Sequence, residues 1–243
     1  MILELDMGNT RIKWRLLGEA GLVVQFGCAS NMGQLLLVLQ KAGWRIRACR
    51  VCAVRSVFSR KAEYSSLLKT VVQGQVLFAE SSASLAGVTN AYPAPKQLGI
   101  DRWLAGVAGY QRLSAACVVI DAGTALTVDY VQDDGKHLGG MIAPGVSLLA
   151  RSLGAATGLP AGAQSFVTGP QTDTVGCLSA GVGHMLGGFL ATMQDNAKSL
   201  LGDNVQFLLA GGDAGLVKTC FENAQLVDDL VFTGLALACP IEE

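Results

Sequence analysis

The chain has 243 residues, with 18 Lys or Arg against 19 Asp or Glu, so its formal net charge at pH 7 is -1. No basic surplus exists to drive binding to nucleic acid or to an anionic membrane surface. Hydrophobic residues make up 51% and charged residues 15%, which excludes a disordered chain and predicts a large apolar core.

The first half of the chain has the pattern of three strands followed by alternating helices and strands. Apolar runs and alternation predict strands over residues 2–7, 11–17 and 22–26. Leucines at helical spacing predict a helix over residues 32–42. A strand over 48–54, a helix over 59–72 and a strand over 75–79 complete this half.

The second half repeats this order. It predicts strands over residues 117–121, 126–131 and 136–142, helices over 146–153 and 175–198, and a strand over 205–209 with short helices after it. Asp6 and Asp121 stand at corresponding places in the two halves. We therefore expect an α/β protein with two domains, residues 1–115 and residues 116–243.

Composition also bears on the compartment. Three long stretches lack charged residues, but glycines, prolines or polar side chains interrupt each, which favours buried elements over membrane spans. No basic signal region is visible at the N-terminus, and the seven cysteines are odd in number, so we expect a reducing cytoplasmic compartment. Cys49 and Cys52 form a CxxC pair, but alternation along a strand places them on opposite faces, against a shared metal or redox site.

Each half has a glycine-containing turn directly after an aspartate that ends an apolar strand: residues 6–10 (DMGNT) and residues 121–125 (DAGTA). Backbone N–H groups in such a turn can converge on an anion, and the aspartate can hold a cation beside phosphate oxygens. One copy alone would be an ordinary hairpin turn. Two copies at corresponding places favour a nucleotide held in a cleft between the halves.

Residues 92–103 (YPAPKQLGIDRW) lead into a predicted helix that ends near Leu113. Asp101 is either a simple N-cap or the carboxylate that accepts a proton from a substrate hydroxyl. Arg102 is disfavoured by the helix dipole in the first turn, and is better explained if it grips an anion such as a substrate carboxylate. Lys13, on the strand after the first turn, is either a phosphate ligand or a solvated lysine.

In these segments the chain resembles the type III pantothenate kinases of the actin-like superfamily. The matching segments are DxGNT at residues 6–10 with Lys13, GxDR at 99–102 after Tyr92 and Pro95, DxGTA at 121–125, GGxIxPG at 139–145, Leu159-Pro160, and GGDA at 211–214. One segment departs from the family, because Asp173 stands where Asn is common and Gln171 replaces a glycine.

The resemblance implies two duplicated ribonuclease H-like domains of the actin-like ATPase type and a homodimer. It also implies ATP-dependent phosphorylation of pantothenate to 4'-phosphopantothenate, the first step of coenzyme A biosynthesis. Asp101 would be the catalytic base, and Asp121 would bind a monovalent cation, potassium or ammonium, with Mg²⁺ accompanying ATP. The residues implied to hold pantothenate are Tyr92, Gly99, Ile100, Asp101, Arg102 and Thr174. Those implied to hold ATP are Asp6, Met7, Gly8, Asn9, Thr10, Arg11, Ile12, Lys13 and Thr124.

Two other functions stay open. One is a non-catalytic, nucleotide-binding regulator, as was once inferred for the Bvg accessory factor homologues that share this pattern. The other is a kinase of a different small hydroxy acid. The Asp101-Arg102 pair argues against the regulator, which needs no base. We expect a small molecule as the partner, and neither nucleic acid nor a membrane.

Overall fold

The computed structural model describes residues 1–159, 167 and 169–241. Pro160, from the Leu159-Pro160 pair, lies outside the described residues. The chain forms two compact units, one of Met1–Ala108 together with the segment from Asp229 onward, and the other of Gly109–Asp228.

The first unit is built on a five-stranded sheet in the order β3-β2-β1-β4-β5. Strand β2 is antiparallel to both of its neighbours, and β4 and β5 continue parallel to β1. The strands are β1 Ile2–Met7, β2 Ile12–Leu17, β3 Val23–Ala29, β4 Ala48–Ala53 and β5 Val76–Phe78, followed by a hairpin of β6 Ser84–Leu85 and β7 Val88–Thr89. The helices are α1 Met32–Ala42, α2 Arg55–Phe58, α3 Lys61–Leu68 and α4 Ile100–Leu113, the last of which continues into the second unit.

The two faces of this first sheet differ in chemistry. Leu3, Leu5 and Val51 lie in a buried apolar core with Leu35 of α1 and Leu68 of α3. The alternate residues of β1 and β4 point to the opposite face and include charged side chains. Helix α1 begins at a capping residue, because the Asn31 side chain accepts a hydrogen bond from the backbone N–H of Gln34 at 3.0 Å.

The second unit repeats the topology. Its sheet has the order β10-β9-β8-β11-β12, with the same pattern of antiparallel and parallel neighbours as the first sheet. The elements are β8 Cys117–Ala122, β9 Ala125–Val131, β10 His137–Pro144, α5 Val146–Thr157, α6 Thr174–Leu201, β11 Gln206–Ala210, α7 Ala214–Lys218 and β12 Ala224–Leu226. The predicted duplication of an α/β unit is confirmed.

Helix α6 is long and apolar enough to cross a membrane by length and composition alone, a test that core helices of soluble proteins also pass. Leu178, Leu186, Leu190 and Met193 of this helix lie in the core of the second unit. The helix therefore serves as a packing element of that unit, as its glycines and polar residues predict.

Two features of the first unit differ from the sequence prediction. The single helix expected over residues 59–72 is replaced by α2 and the shorter α3. The last helix, α8 Leu230–Ala238, belongs to the first unit, whereas the predicted ranges assign it to the second. Helix α8 packs against β1 and β4, and Asp229 just before it accepts a 3.0 Å ion-paired hydrogen bond from Arg15 of β2.

Candidate active site

The turn between β1 and β2 carries the first group of candidate ATP-binding residues. Asp6 is half-buried near the end of β1, and the backbone N–H of Gly8 closes the turn on the carbonyl oxygen of Arg11 at 3.2 Å. Asn9, Thr10 and Arg11 are exposed. The turn therefore presents backbone and side-chain donors to solvent beside a carboxylate that the strand holds in place.

A residue of α2 supports this turn. The Ser56 hydroxyl donates a 2.7 Å hydrogen bond to the side-chain oxygen of Asn9. The backbone N–H of Val54 donates to the carbonyl oxygen of Met7 at 3.2 Å. Sequence reasoning missed Ser56, because nothing in its neighbourhood in the chain distinguishes it from an ordinary helix residue.

Cys52 connects two of the predicted site residues. It is fully buried on β4, opposite Asp6 in the parallel pairing of β1 with β4. Burial raises the pKa of the Cys52 thiol, and the negative charges of Asp6 and Asp101 and a hydrogen bond to Asp6 raise it further. Both carboxylates thus act on the pKa of this thiol, and Asp6 lies directly beside it in the register of the sheet.

Asp101 occupies a different helix position from the one predicted. Helix α4 begins at Ile100, and its first turn includes the bond from the Trp103 N–H to the Gly99 carbonyl oxygen at 2.9 Å. Asp101 is thus inside the first turn, and the N-cap interpretation is wrong. Its carboxylate accepts a 2.9 Å bond from the backbone N–H of Arg102. A Cβ at Gly99 would come 2.8 Å from that carboxylate, so a larger residue there would displace the Asp101 side chain.

Arg102 and Tyr92, two of the candidate pantothenate-binding residues, lie within hydrogen-bond distance of each other. Arg102 is only 7% exposed, and its Nη1 donates to the Tyr92 hydroxyl at 3.3 Å. Asn90 shapes the loop that carries Tyr92, because its side-chain oxygen accepts from the Tyr92 N–H at 2.9 Å and its Nδ2 donates to the Ser82 carbonyl at 3.1 Å. A buried guanidinium beside a phenol forms a pair of donors suited to an anionic or carbonyl oxygen.

A cavity of about 250 Å³ adjoins this segment in the first unit. Its apolar lining includes Ala53, Phe58 and Ile100, and its polar lining includes Glu80 and Lys96. Gly99 also lines it, so the cavity reaches the residues that precede Asp101. Its volume suits a small metabolite better than a drug-sized ligand.

In the second unit two distant sequence segments converge on the turn that follows Asp121. The Gly123 N–H donates to the Ala125 carbonyl at 2.9 Å and closes the turn. The N–H of Gly145, at the end of the GGxIxPG segment, donates to the Thr124 carbonyl at 3.0 Å. The N–H of Asp213, in the GGDA segment, donates to the Ala122 carbonyl at 2.9 Å. Asp121 is half-buried and Thr124 is exposed.

Gly211 is the closest neighbour of this turn in the GGDA segment. Its φ is +95°, and a Cβ there would collide with the backbone of Ala122 and the carboxylate of Asp121. Gly212, the next residue, has open space where its Cβ would lie. Only the first of the two glycines is therefore required by backbone conformation and close approach.

Gly211→Ala is expected to lower the free energy of unfolding by about 1–3 kcal/mol, because alanine is strained at this φ and displaces the Asp121 turn. Urea unfolding followed by circular dichroism measures the change. Gly212→Ala is the matched control and is expected to stay within about 0.5 kcal/mol of wild type. Equal stability of the two variants would contradict the role assigned to Gly211.

Thr174 is the first residue of α6 and is exposed in the second unit. Asp173 caps the helix, since its side chain accepts a 2.9 Å hydrogen bond from the Gly176 N–H. Asn and Asp are equally good helix caps, so aspartate at residue 173 preserves the local structure although it departs from the family pattern.

Within the described residues, no group of three His, Cys, Asp or Glu side chains is placed to hold a metal ion.

Comparisons with known proteins agree on one family. A family model described as type III pantothenate kinase matches residues 2–196. A type III pantothenate kinase of Azotobacter vinelandii is 40% identical over 250 residues, which covers 99% of each chain. Another, from Pseudomonas paraeruginosa, is 41% identical over 250 residues and covers 100% of each chain.

Solved structures support the fold. A protein from Campylobacter jejuni described as a Baf family transcriptional activator superposes with a TM-score of 0.62 at 20% identity, covering 96% of this chain and 94% of the other. A protein from Sinorhizobium meliloti described as a 2-dehydro-3-deoxygalactonokinase gives a TM-score of 0.59 at 16% identity, covering 98% of each chain. With the duplicated sheet order, these similarities confirm the expected fold class of two ribonuclease H-like domains.

Proposed function

The chain belongs to the family of type III pantothenate kinases, and from this premise we propose how its residues transfer a phosphoryl group from ATP to pantothenate. The observation that carries the activity is the agreement of the family model with relatives about 40% identical over the whole chain. The product is 4'-phosphopantothenate, and the reaction is the first step of coenzyme A biosynthesis.

Asp101 is the proposed general base. The primary hydroxyl oxygen of pantothenate forms a bond to the γ-phosphorus of ATP, the bond from that phosphorus to the ADP oxygen breaks, and Asp101 receives the hydroxyl proton. The carboxylate is held in the first turn of α4 by a 2.9 Å hydrogen bond from the Arg102 N–H. A charged, positioned carboxylate is the form that can accept a proton.

Pantothenate is held by the segment around this base in our proposal. Arg102 grips the carboxylate of pantothenate with the help of Tyr92, whose hydroxyl lies 3.3 Å from the guanidinium. Gly99 and Ile100 contact the substrate through the backbone that leads into α4. Thr174, at the start of α6, supplies a further hydroxyl to pantothenate.

ATP is held by residues 6–13 and by Thr124. The exposed donors of the first turn and the ammonium of Lys13 suit phosphate oxygens, and the Thr124 hydroxyl is exposed on the corresponding turn of the second unit. Mg²⁺ accompanies the nucleotide. Such a reaction depends on positioning the phosphates and neutralising their charge, which these donors supply.

Asp121 is the proposed ligand of a monovalent cation, potassium or ammonium. Its carboxylate lies beside Gly211, where a Cβ would displace it, and oxygen atoms of backbone and carboxylate are the donors that hard cations prefer. The cation would neutralise negative charge close to the phosphates.

Replacing sodium by potassium or ammonium is therefore expected to raise the rate of phosphorylation at constant ionic strength. Asp121→Asn removes the negative charge and is expected to abolish that difference between salts. Steady-state rates in the three chloride salts measure it. Equal rates of the wild-type protein in all three would overturn the assignment.

We also infer a homodimer in the cytoplasm. Large apolar side chains are exposed in both units, among them Phe26 at 77%, Leu22 at 69%, Ile142 at 66% and Met185 at 64%. All seven cysteines are free thiols, which suits a reducing compartment. Light scattering after size exclusion tests the dimer, and a mass equal to one chain would contradict it. The activity requires neither nucleic acid nor a membrane.

The activity is tested by coupling ADP release to NADH oxidation with a panel of hydroxy acids that includes pantothenate. The expected result is turnover of pantothenate at a kcat/KM well above that of every other acid. Preference for another acid would identify a different small-molecule kinase. ATP binding without turnover of any acid would identify a regulator.

A further inference from the structure

The polar face of the first sheet is organised in two parallel rows across strands β2, β1 and β4. In the first row Glu4 of β1 is paired with Arg15 of β2 and with Arg50 of β4. In the second row Asp6 is paired with Lys13 and Cys52 in the same way. Residues paired in register point to the same face of the sheet. Each row therefore has a carboxylate on β1 between side chains of the two neighbouring strands.

The first row shows what this arrangement does for a carboxylate. Glu4 is fully buried, and its two oxygens accept hydrogen bonds from Arg15 Nε at 2.6 Å and Arg50 Nη1 at 2.7 Å. Arg50 Nε also donates to the carbonyl oxygen of Cys239 at 2.8 Å. Two arginines thus fix and neutralise Glu4, which makes this row a structural ion-pair network.

The second row differs on the β4 side, where a neutral thiol replaces an arginine. Cys52 is fully buried beside Asp6 in the register of the sheet, and its surroundings raise its pKa, so it remains a thiol that can act as a donor. A neutral donor orients a carboxylate without cancelling its charge. On its β4 side Asp6 is therefore paired with a neutral residue, whereas Glu4 has the cationic Arg50 there.

The second unit shows that the fold does not require a cysteine here. Asp121 corresponds to Asp6, and its partner on the strand equivalent to β4 is Ala210. An alanine therefore fills this register position in a sheet of the same topology. The thiol of Cys52 is an addition specific to the first unit, beside Asp6 and Asp101.

We propose that Cys52 is a positioning residue for nucleotide binding, whose buried thiol donates a hydrogen bond to Asp6 and fixes that carboxylate beside the phosphate loop. The proposal rests on the proposed role of residues 6–13 in binding ATP. It adds a residue of β4 that contacts neither ATP nor pantothenate and acts through Asp6.

The test measures the Kd for MgATP by isothermal titration calorimetry on the full chain without pantothenate. Cys52→Ala is expected to raise the Kd about fivefold, because it removes one hydrogen bond to a charged group. Cys52→Ser places a hydroxyl donor at the same position and is expected to stay within about twofold of wild type. In an Asp6→Asn background, Cys52→Ala is expected to have little further effect, since its role depends on the Asp6 charge.

Cys49→Ala is the matched control, because Cys49 is equally buried on β4 but lies in the apolar core on the opposite face. It is expected to lower the melting temperature without changing the Kd. If Cys52→Ala does not fold, vibrational spectroscopy of proteins that keep Cys52 tests the proposal instead. The S–H stretching band of Cys52, identified by its loss in Cys52→Ser, is expected to shift in Asp6→Asn.

Three results would overturn the proposal. The first is an unchanged Kd for MgATP in folded Cys52→Ala, and the second is an equal loss of MgATP affinity in Cys52→Ala and Cys52→Ser. The third is an S–H stretching band whose position does not change in Asp6→Asn. None of these results bears on whether the wild-type protein phosphorylates pantothenate. Conversely, a wild-type protein that binds ATP but does not phosphorylate pantothenate would refute the proposed activity while the role of Cys52 could still be measured.

Discussion

Asp101→Asn is expected to lower kcat for pantothenate by about two orders of magnitude or more, because general bases typically contribute 10²–10⁴-fold. Asparagine keeps the size of the side chain and the oxygen that accepts from the Arg102 N–H. The melting temperature should therefore change little, although some favourable interaction with the helix dipole is lost. Steady-state kinetics and thermal unfolding of the same preparation measure both effects.

The Kd for ATP should be unchanged by this substitution, because it leaves residues 6–13 and Thr124, the proposed ATP-binding residues, intact. Asp203→Asn, at an exposed turn after α6, controls for the loss of one carboxylate and should leave kcat unchanged. A near wild-type rate for purified Asp101→Asn would mean that Asp101 stabilises the first turn of α4 and takes no proton.

Arg102→Ala is expected to raise the KM for pantothenate by about 10–100-fold, because a hydrogen-bonded charge pair is lost. The kcat should fall less than in Asp101→Asn, since the proposed base remains. Tyr92→Phe is the milder counterpart, because it removes only the hydroxyl 3.3 Å from the guanidinium. Initial rates over a range of pantothenate concentrations separate KM from kcat.

The proposal that Arg102 binds the carboxylate of pantothenate can be tested with an analogue whose carboxylate is replaced by an amide. The wild-type protein should prefer pantothenate strongly, and Arg102→Ala should lose most of that preference. Arg102 is buried, so the melting temperature of the variant must be measured alongside. An undiminished preference in the folded variant would show that Arg102 does not hold the carboxylate.

The sequence alone was sufficient to predict most strands and helices of the two sheets and the two glycine-containing turns. Apolar periodicity is a local property, so β1, α1 and α6 lie close to their predicted bounds. Glycine turns after a strand-ending aspartate are local too, which is why both turns and the duplication could be predicted. The resemblance named both Tyr92 and Arg102 as candidate substrate-binding residues, but only the structure shows the hydrogen bond between them.

The tertiary structure alone decided what surrounds these residues. Cys52 lies beside Asp6 because β4 pairs in parallel with β1 in one particular register, and no local pattern encodes that register. The contact of Ser56 with Asn9 and the packing of α8 on β1 and β4 also join residues far apart in the sequence. Asp101 lies in the first turn, not at the predicted N-cap, because the Gly99 carbonyl oxygen already accepts a helical hydrogen bond from the Trp103 N–H. Local periodicity thus specifies strands and turns, whereas the contacts that position Asp6 and Asp101 depend on which distant strands and helices pack together.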